Sequence, residues 1–185
     1  MASTREHWGT WPLDNAQQRR VGSEVVGATE CTIRRARLGD AGAIASLMAP
    51  YAAIGLVLPR SEIEIKAHVG EFLVACREER VCGCVALRDY GDGLMEIRSL
   101  IVAEEYSGAG LGSRLVESAV ENARTAGNER IFALTMRPHL FIRLGFHVVN
   151  KERFPQKVWT DCARCRKREN CDEIAVLFQP DQDER

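Results

Sequence analysis

Several things are missing from this 185-residue chain, and each absence closes a class of function. No apolar run approaches the ~20 residues that a membrane-spanning helix needs, so no membrane partner is expected. The formal net charge is −1, which leaves no basic excess to bind nucleic acid or an anionic membrane. The opening residues, MASTREHWGTWPLDN, contain no apolar core of a secretory signal. Seven cysteines is an odd count, and most sit in strand-like or basic contexts. That favours reduced thiols and a cytoplasmic setting over a disulfide framework.

The chain does have a strand, a glycine turn and a helix in direct succession, from Gly93 to Ser118. Leu94 to Val102 is an apolar run interrupted only by the charges of Glu96 and Arg98. Ser107-Gly108-Ala109-Gly110-Leu111-Gly112 follows, and then Leu111, Leu115, Ala119 and Val120 repeat at helical spacing. Glycines let backbone approach a ligand closely, and the first N–H groups of a helix point outward at an anion. The arrangement therefore suits a pyrophosphate. Two other phosphate loops are excluded. No Lys follows Gly112, as a P-loop requires, and Gly108, Gly110 and Gly112 have the wrong spacing for the dinucleotide fingerprint. A plain glycine turn capping a helix is the alternative.

Around this unit the pattern is mixed. Residues 1–30 are polar and aperiodic and read as an extension; residues 31–180 read as one domain, and 181–185 as an acidic tail. Thr32 to Arg37 alternates like a strand. A helix is expected next, with Asp40 as its N-cap, Ile44, Leu47 and Met48 on one face, and Pro50 at or just beyond its end. Ser61 and Glu64 form a capping box for a second helix. Glu71 to Cys76 and Val81 to Arg88 flank a charged turn and read as a hairpin, with Leu94 to Val102 extending the meander. The helix after the glycine turn should stop near Ala126, before Gly127. Arg130 to Met136, Phe146 to Asn150 and Glu173 to Phe178 complete the strands, with a short helix from Pro138. The fold class is α/β with a mixed sheet.

In this order, Leu100-Ile101-Val102, Gly110-Leu111-Gly112 and Phe141-x-x-x-Gly145-Phe146 resemble the GNAT family of acetyl-CoA-dependent N-acetyltransferases over about Thr32 to Phe178. The resemblance implies a central, mostly antiparallel, splayed sheet flanked by helices. Ser107 stands where the family usually has Gln or Arg. Within the family the chain is most similar to short-form N-acetylglutamate synthases. The residues carrying this are Leu58-Pro59-Arg60-Ser61, Val81-Cys82-Gly83-Cys84, Glu96-Ile97-Arg98-Ser99-Leu100, Phe132-Ala133-Leu134-Thr135 and the ending from Lys157 to Glu173. Longer synthases carry an amino-acid-kinase-like domain ahead of the acetyltransferase, for which this sequence has no room.

What the resemblance implies is acetyl transfer from acetyl-CoA to the α-amine of L-glutamate, which opens the route to arginine. Acetyl-CoA would lie along Leu100, Ile101 and Val102, with its pyrophosphate on Ser107, Gly108, Ala109, Gly110, Leu111, Gly112 and Ser113. A bulge in the strand would free N–H groups near Ile101 for the acetyl oxygen. Glu96 is the candidate general base: a carboxylate desolvated on a buried strand is disposed to take up a proton near neutral pH. A structural ion pair with Arg98 is the alternative, since residues two apart share a strand face. Arg60 and Arg98, with Lys157, are candidates for holding the carboxylates of glutamate, which arginine grips as a fork. Thr135 falls where the synthases have a hydroxyl near the thiolate.

Cys162, Cys165 and Cys171 have a spacing that zinc could use with a fourth ligand such as His139 or His147. No second Cys-x-x-Cys accompanies them, so no metal is expected, and buried or redox-sensitive thiols are the alternatives. Two other functions stay open: acetylation of a different small amine or a protein, and a CoA-binding or thiol/metal-sensing module without turnover. Oligomeric state is open too, with a homodimer among the outcomes.

Overall fold

The computed structural model describes residues 31–155 and 170–179. Seven strands form one sheet: β1 (Thr32–Arg35), β2 (Phe72–Arg77), β3 (Arg80–Asp89), β4 (Leu94–Val102), β5 (Arg130–Thr135), β6 (His147–Val149) and β7 (Ile174–Phe178). Their order is β1-β2-β3-β4-β5-β7-β6. Every neighbouring pair is antiparallel except β4 and β5, which are parallel and joined by the crossover helix α3 (Leu111–Thr125). A parallel pair cannot be closed by a hairpin, which is why the one long amphipathic helix falls at this step.

The sheet is buried on both faces. On one face, Leu115, Val116, Ala119 and Ala123 of α3 pack on Leu73, Ala75, Val85, Met95, Ile97 and Ile131. On the other, α1 (Ala41–Ala53) and α2 (Glu62–Ala67) cover Phe72, Val74, Cys84, Ala86 and Ile101 with Ala41, Ile44, Met48 and Ile65. A third cluster of Leu94, Phe132, Ala175 and Leu177 lies under Phe154. Burying each large apolar side chain of this kind contributes about 1.5–3 kcal/mol. A short helix, α4 (Pro138–Ile142), precedes β6 with Pro in its first turn, as the sequence suggests.

Gly83 is required by α3. A Cβ there would sit 3.0 Å from both the Ile101 carbonyl oxygen and Leu115 Cδ1. The missing side chain lets Leu115 of α3 lie close against β3, which carries Gly83.

One expectation about α1 holds in position and another is corrected. Asp40 is the N-cap residue of α1, as expected, but its side chain makes no cap bond there and its backbone is already helical (φ −80°, ψ −15°). Its carboxylate instead accepts the Arg37 N–H at 2.6 Å and pairs with Arg34 at 2.7 Å, closing a 3-10 turn over Leu38–Asp40 that runs straight into α1. Pro50, by contrast, does not end α1, because the helix continues to Ala53. Proline there removes the bond to the Ser46 carbonyl, but both residues are exposed and water can take its place. The capping box at Ser61 and Glu64 forms as the spacing predicts, with the Ser61 N–H donating to Glu64 Oε2 at 2.7 Å.

Candidate active site

The site begins where two strands part. β4 and β5 pair only at Leu94–Arg130, Met95–Ile131 and Glu96–Phe132. Beyond Glu96, β4 keeps its partner β3 on one edge and has none in β5 on the other. A bulge adds to the divergence. Ala86 pairs with Arg98 and Cys84 with Ile101, so Ser99 and Leu100 together oppose Val85. Ser99 takes up the extra residue at φ +51°, a left-handed conformation rare for serine. The carbonyls on this segment are used unevenly: Tyr51 donates its hydroxyl to Val102 O at 3.0 Å. The result is a cleft walled by β4 main chain from Ile97 to Val102, the setting expected for an acyl group and an oxyanion.

At the far end of β4 the chain makes a 3-10 turn, Glu104–Tyr106, and enters the glycine turn. Gly108 (φ +79°) and Gly110 (φ +83°) both need the left-handed region, and a Cβ on either would meet nothing within 4 Å. That space is open to a ligand. Gly110 is the N-cap of α3 and offers no side chain to it, so the first helical N–H groups face outward uncapped. Gly112 lies close to Leu140 and Val102, at 3.9 Å from each for an added Cβ. A pyrophosphate fits this chemistry: amides and a helix dipole supply the positive field without any lysine.

Glu96 is 2% exposed and sits at the branch point of β4 and β5. The Tyr90 hydroxyl donates to its Oε2 at 3.1 Å, and Arg98 Nη1 lies 3.7 Å from the same oxygen. Sequence reasoning missed Tyr90. It lies in the turn between β3 and β4, and the only signal was an aromatic residue in an otherwise polar loop. Its ring leans on Phe132, which in turn stacks on Phe154 at 3.9 Å, so the phenol is held by aromatic packing.

The sheet register brings the arginines to the same face. Phe72, Ala86 and Arg98 pair in sequence across β2, β3 and β4, and directly opposed residues share a face. Arg60 lies over the Phe72 ring, 6.0 Å from its centroid. Arg60 and Arg98 thus flank one row, with Glu96 on the same side of β4. Thr135 is not brought there. It follows Ile131 and Ala133 on the α3 face, at the end of β5, and its Oγ1 accepts the Arg137 N–H at 2.9 Å. Lys157, Cys162 and Cys165 lie outside the described residues. Cys171 is described, and its sulfur accepts a hydrogen bond from Lys151 Nζ at 3.1 Å. Among the described residues no three His, Cys, Asp or Glu side chains come together to hold a metal.

The sequence profile of the acetyltransferase (GNAT) family matches residues 40–147. The chain belongs to the GNAT family. Among its GNAT relatives is an uncharacterised N-acetyltransferase of Chlorobaculum tepidum, 43% identical over 81% of this chain and 97% of that protein. An amino-acid acetyltransferase of Shewanella oneidensis is 32% identical over 74% of this chain, which spans 31% of that protein. Among solved structures, N-acetylglutamate synthase of Neisseria gonorrhoeae complexed with coenzyme A and N-acetyl-glutamate aligns with a TM-score of 0.72 at 27% identity, covering 80% of this chain and 34% of that one. Rv2747 of Mycobacterium tuberculosis, also complexed with CoA, aligns at 0.67 and 27% identity over 80% of this chain and 98% of its own. The GNAT domain here therefore spans about a third of the amino-acid acetyltransferases it resembles.

Proposed function

We propose that this GNAT domain transfers the acetyl group of acetyl-CoA to the α-amine of L-glutamate. One observation carries the reading: a buried carboxylate, Glu96, lies where β4 and β5 separate, with Arg98 and Arg60 on its face of the sheet. The base and the anion-binding groups are thereby together, a strand's length from the glycine turn. The synthase complex from Neisseria gonorrhoeae and the Shewanella relative support an amino-acid acceptor.

The chemistry follows from the placement. CoA lies in the cleft with its pyrophosphate on the amides from Gly108 to Ser113, and Leu100 to Val102 run beside the acyl arm. Glu96 takes a proton from the glutamate ammonium, directly or through a water. The free amine attacks the thioester carbon, the C–N bond forms, and negative charge develops on the carbonyl oxygen. Backbone N–H groups near Ile101 stabilise that charge. The C–S bond then breaks, the new amide nitrogen gives up its second proton, and the CoA thiolate takes that proton up through water. Thr135, at the end of β5, would assist through a hydrogen bond or a water relay. Arg60 and Arg98 hold the substrate carboxylates, which fixes the amine near Glu96.

Steady-state acetylation of glutamate, aspartate, glutamine and spermidine tests this. Glutamate is expected to have the highest kcat/KM. Preference for spermidine or a peptide N-terminus would overturn the choice of acceptor. Acetyl-CoA binding without turnover of any amine would leave only a CoA-binding module.

A further inference from the structure

The register of the sheet sets a third arginine beside the base. Arg88 of β3 is directly paired with Glu96 of β4, in the row that continues to Phe132 of β5. It is half-buried, and its guanidinium carbon lies over the Tyr90 ring, 5.6 Å from the centroid. That same tyrosine donates its hydroxyl to Glu96. Among the described residues, the ring of Tyr90 is the sole partner of the Arg88 side chain; no carboxylate lies within ion-pair reach of it. Arg34 and Arg80, by contrast, each hold a carboxylate, Asp40 and Glu105.

This is an unusual way to keep an arginine. A guanidinium has five N–H donors in a planar fork, and taking it partly out of water without an anion is costly. Stacking on an aromatic ring satisfies the face of the ion and leaves the in-plane donors directed past the ring edge. Such an ion is fixed in orientation before any ligand arrives, so an incoming carboxylate meets a fork that loses little freedom on binding. Glu96 does not fill that role: Tyr90 and Arg98 meet its carboxylate, and no ion pair joins it to Arg88.

We propose that Arg88 is a specificity-determining residue that binds one carboxylate of a dicarboxylic amino-acid acceptor, with Tyr90 as the platform that orients it beside Glu96. The inference rests on the acetyltransferase reading above and deepens it. Arg88 acts on the acceptor and not on CoA, since the glycine turn lies at the opposite end of β4 from Glu96.

The test compares wild type with Arg88→Gln and Arg88→Lys on glutamate, glutamine and the α-amide of glutamate. Each amide lacks one of the two carboxylates. Arg88→Gln should lower kcat/KM for glutamate about 10–100-fold, mostly through KM, because a charge-assisted fork is lost. The loss should vanish for whichever amide lacks the carboxylate that Arg88 holds. Arg88→Lys should recover only part of it, since an ammonium cannot stack and fork together. Acetyl-CoA affinity by calorimetry should stay at the wild-type value in both variants, which also reports that they fold. An equal loss on all three substrates, no loss on any, or a weakened CoA affinity overturns the proposal. If wild type itself turns over none of the three amino acids, the acetyltransferase reading has failed and this inference falls with it.

Discussion

Glu96→Gln is the sharpest substitution at the scale of single residues. Glutamine keeps the shape and can still accept the Tyr90 hydrogen bond, but it cannot take a proton. On the proposed mechanism kcat should fall about 10²–10⁴-fold while acetyl-CoA affinity holds. Retained turnover in a stopped-time assay would remove Glu96 as the base. Arg60→Lys keeps a positive charge over Phe72 and loses the fork. KM for glutamate should rise about tenfold with kcat little changed, as expected when uniform substrate binding is weakened. Glu96 was visible in the sequence because a lone carboxylate in an apolar strand has to be explained. Tyr90 was not. Its place beside Glu96 depends on how the turn closes, with Tyr90 N–H on Leu94 O and Leu94 N–H on Gly91 O, both at 2.9 Å. Nor could the sequence say on which face Thr135 lies, because that depends on the register of β5 against β7.

At the scale of elements, glycine does two different jobs, and each has its own test. Gly110→Ala places a Cβ in open space but forces an L-residue to φ +83°. The cost to stability should be about 1 kcal/mol, measured by denaturant unfolding. The loss in CoA affinity should exceed that if amides near Gly110 contact the pyrophosphate. Gly83→Ala has ordinary backbone angles and no room. It should cost about 1–3 kcal/mol by pushing Leu115 and the Ile101 carbonyl apart. Because Ile101 belongs to the cleft wall, kcat should also fall. The elements themselves were legible: the Ser61 box, the apolar period of α3 and the long run of β4 are local signals, and each matches its observed span closely. The misread features were those decided at a distance. Asp40 holds the N-cap position it was expected to hold, but Arg34 arrives from β1 to claim its carboxylate, and Pro50 looks like a stop only while water is left out. The bulge at Ser99 leaves no mark in composition at all.

For the molecule as a whole, pH acts through Asp40. The Arg34 guanidinium hydrogen-bonds to this carboxylate, and together with the Arg37 N–H it holds the acid below its usual range despite partial burial. A carboxylate with a depressed native pKa contributes stability that is complete above its unfolded pKa and lost as pH falls through the native value. Unfolding at pH 7 and at pH 3 should thus differ in part through Arg34–Asp40. Arg34→Met should lower stability by about 1 kcal/mol at neutral pH and shrink that difference, read from urea midpoints at both pH values. Cys84 reports on global opening in another way. Fully buried between α1 and the sheet, its thiol is pushed up to about 12 by desolvation and stays protonated. An alkylating reagent should label half-exposed Cys171 in the native protein and reach Cys84 only at the unfolding rate, as followed by peptide mass spectrometry.

Three residue pairs are all that stitch β4 to β5, so the sheet is two half-sheets sharing a short seam and one crossover helix. Such a seam is mechanically weak, and whatever occupies the gap past Glu96 becomes the missing row of rungs. Loading with acetyl-CoA should therefore slow amide hydrogen exchange along Ile97 to Val102 and at the facing end of β5, far more than in β2 or β3, and raise the melting temperature of the entire domain. On the proposed placement the donor would be a temporary strand of the fold, and each turnover that releases CoA would unzip the protein slightly before the next.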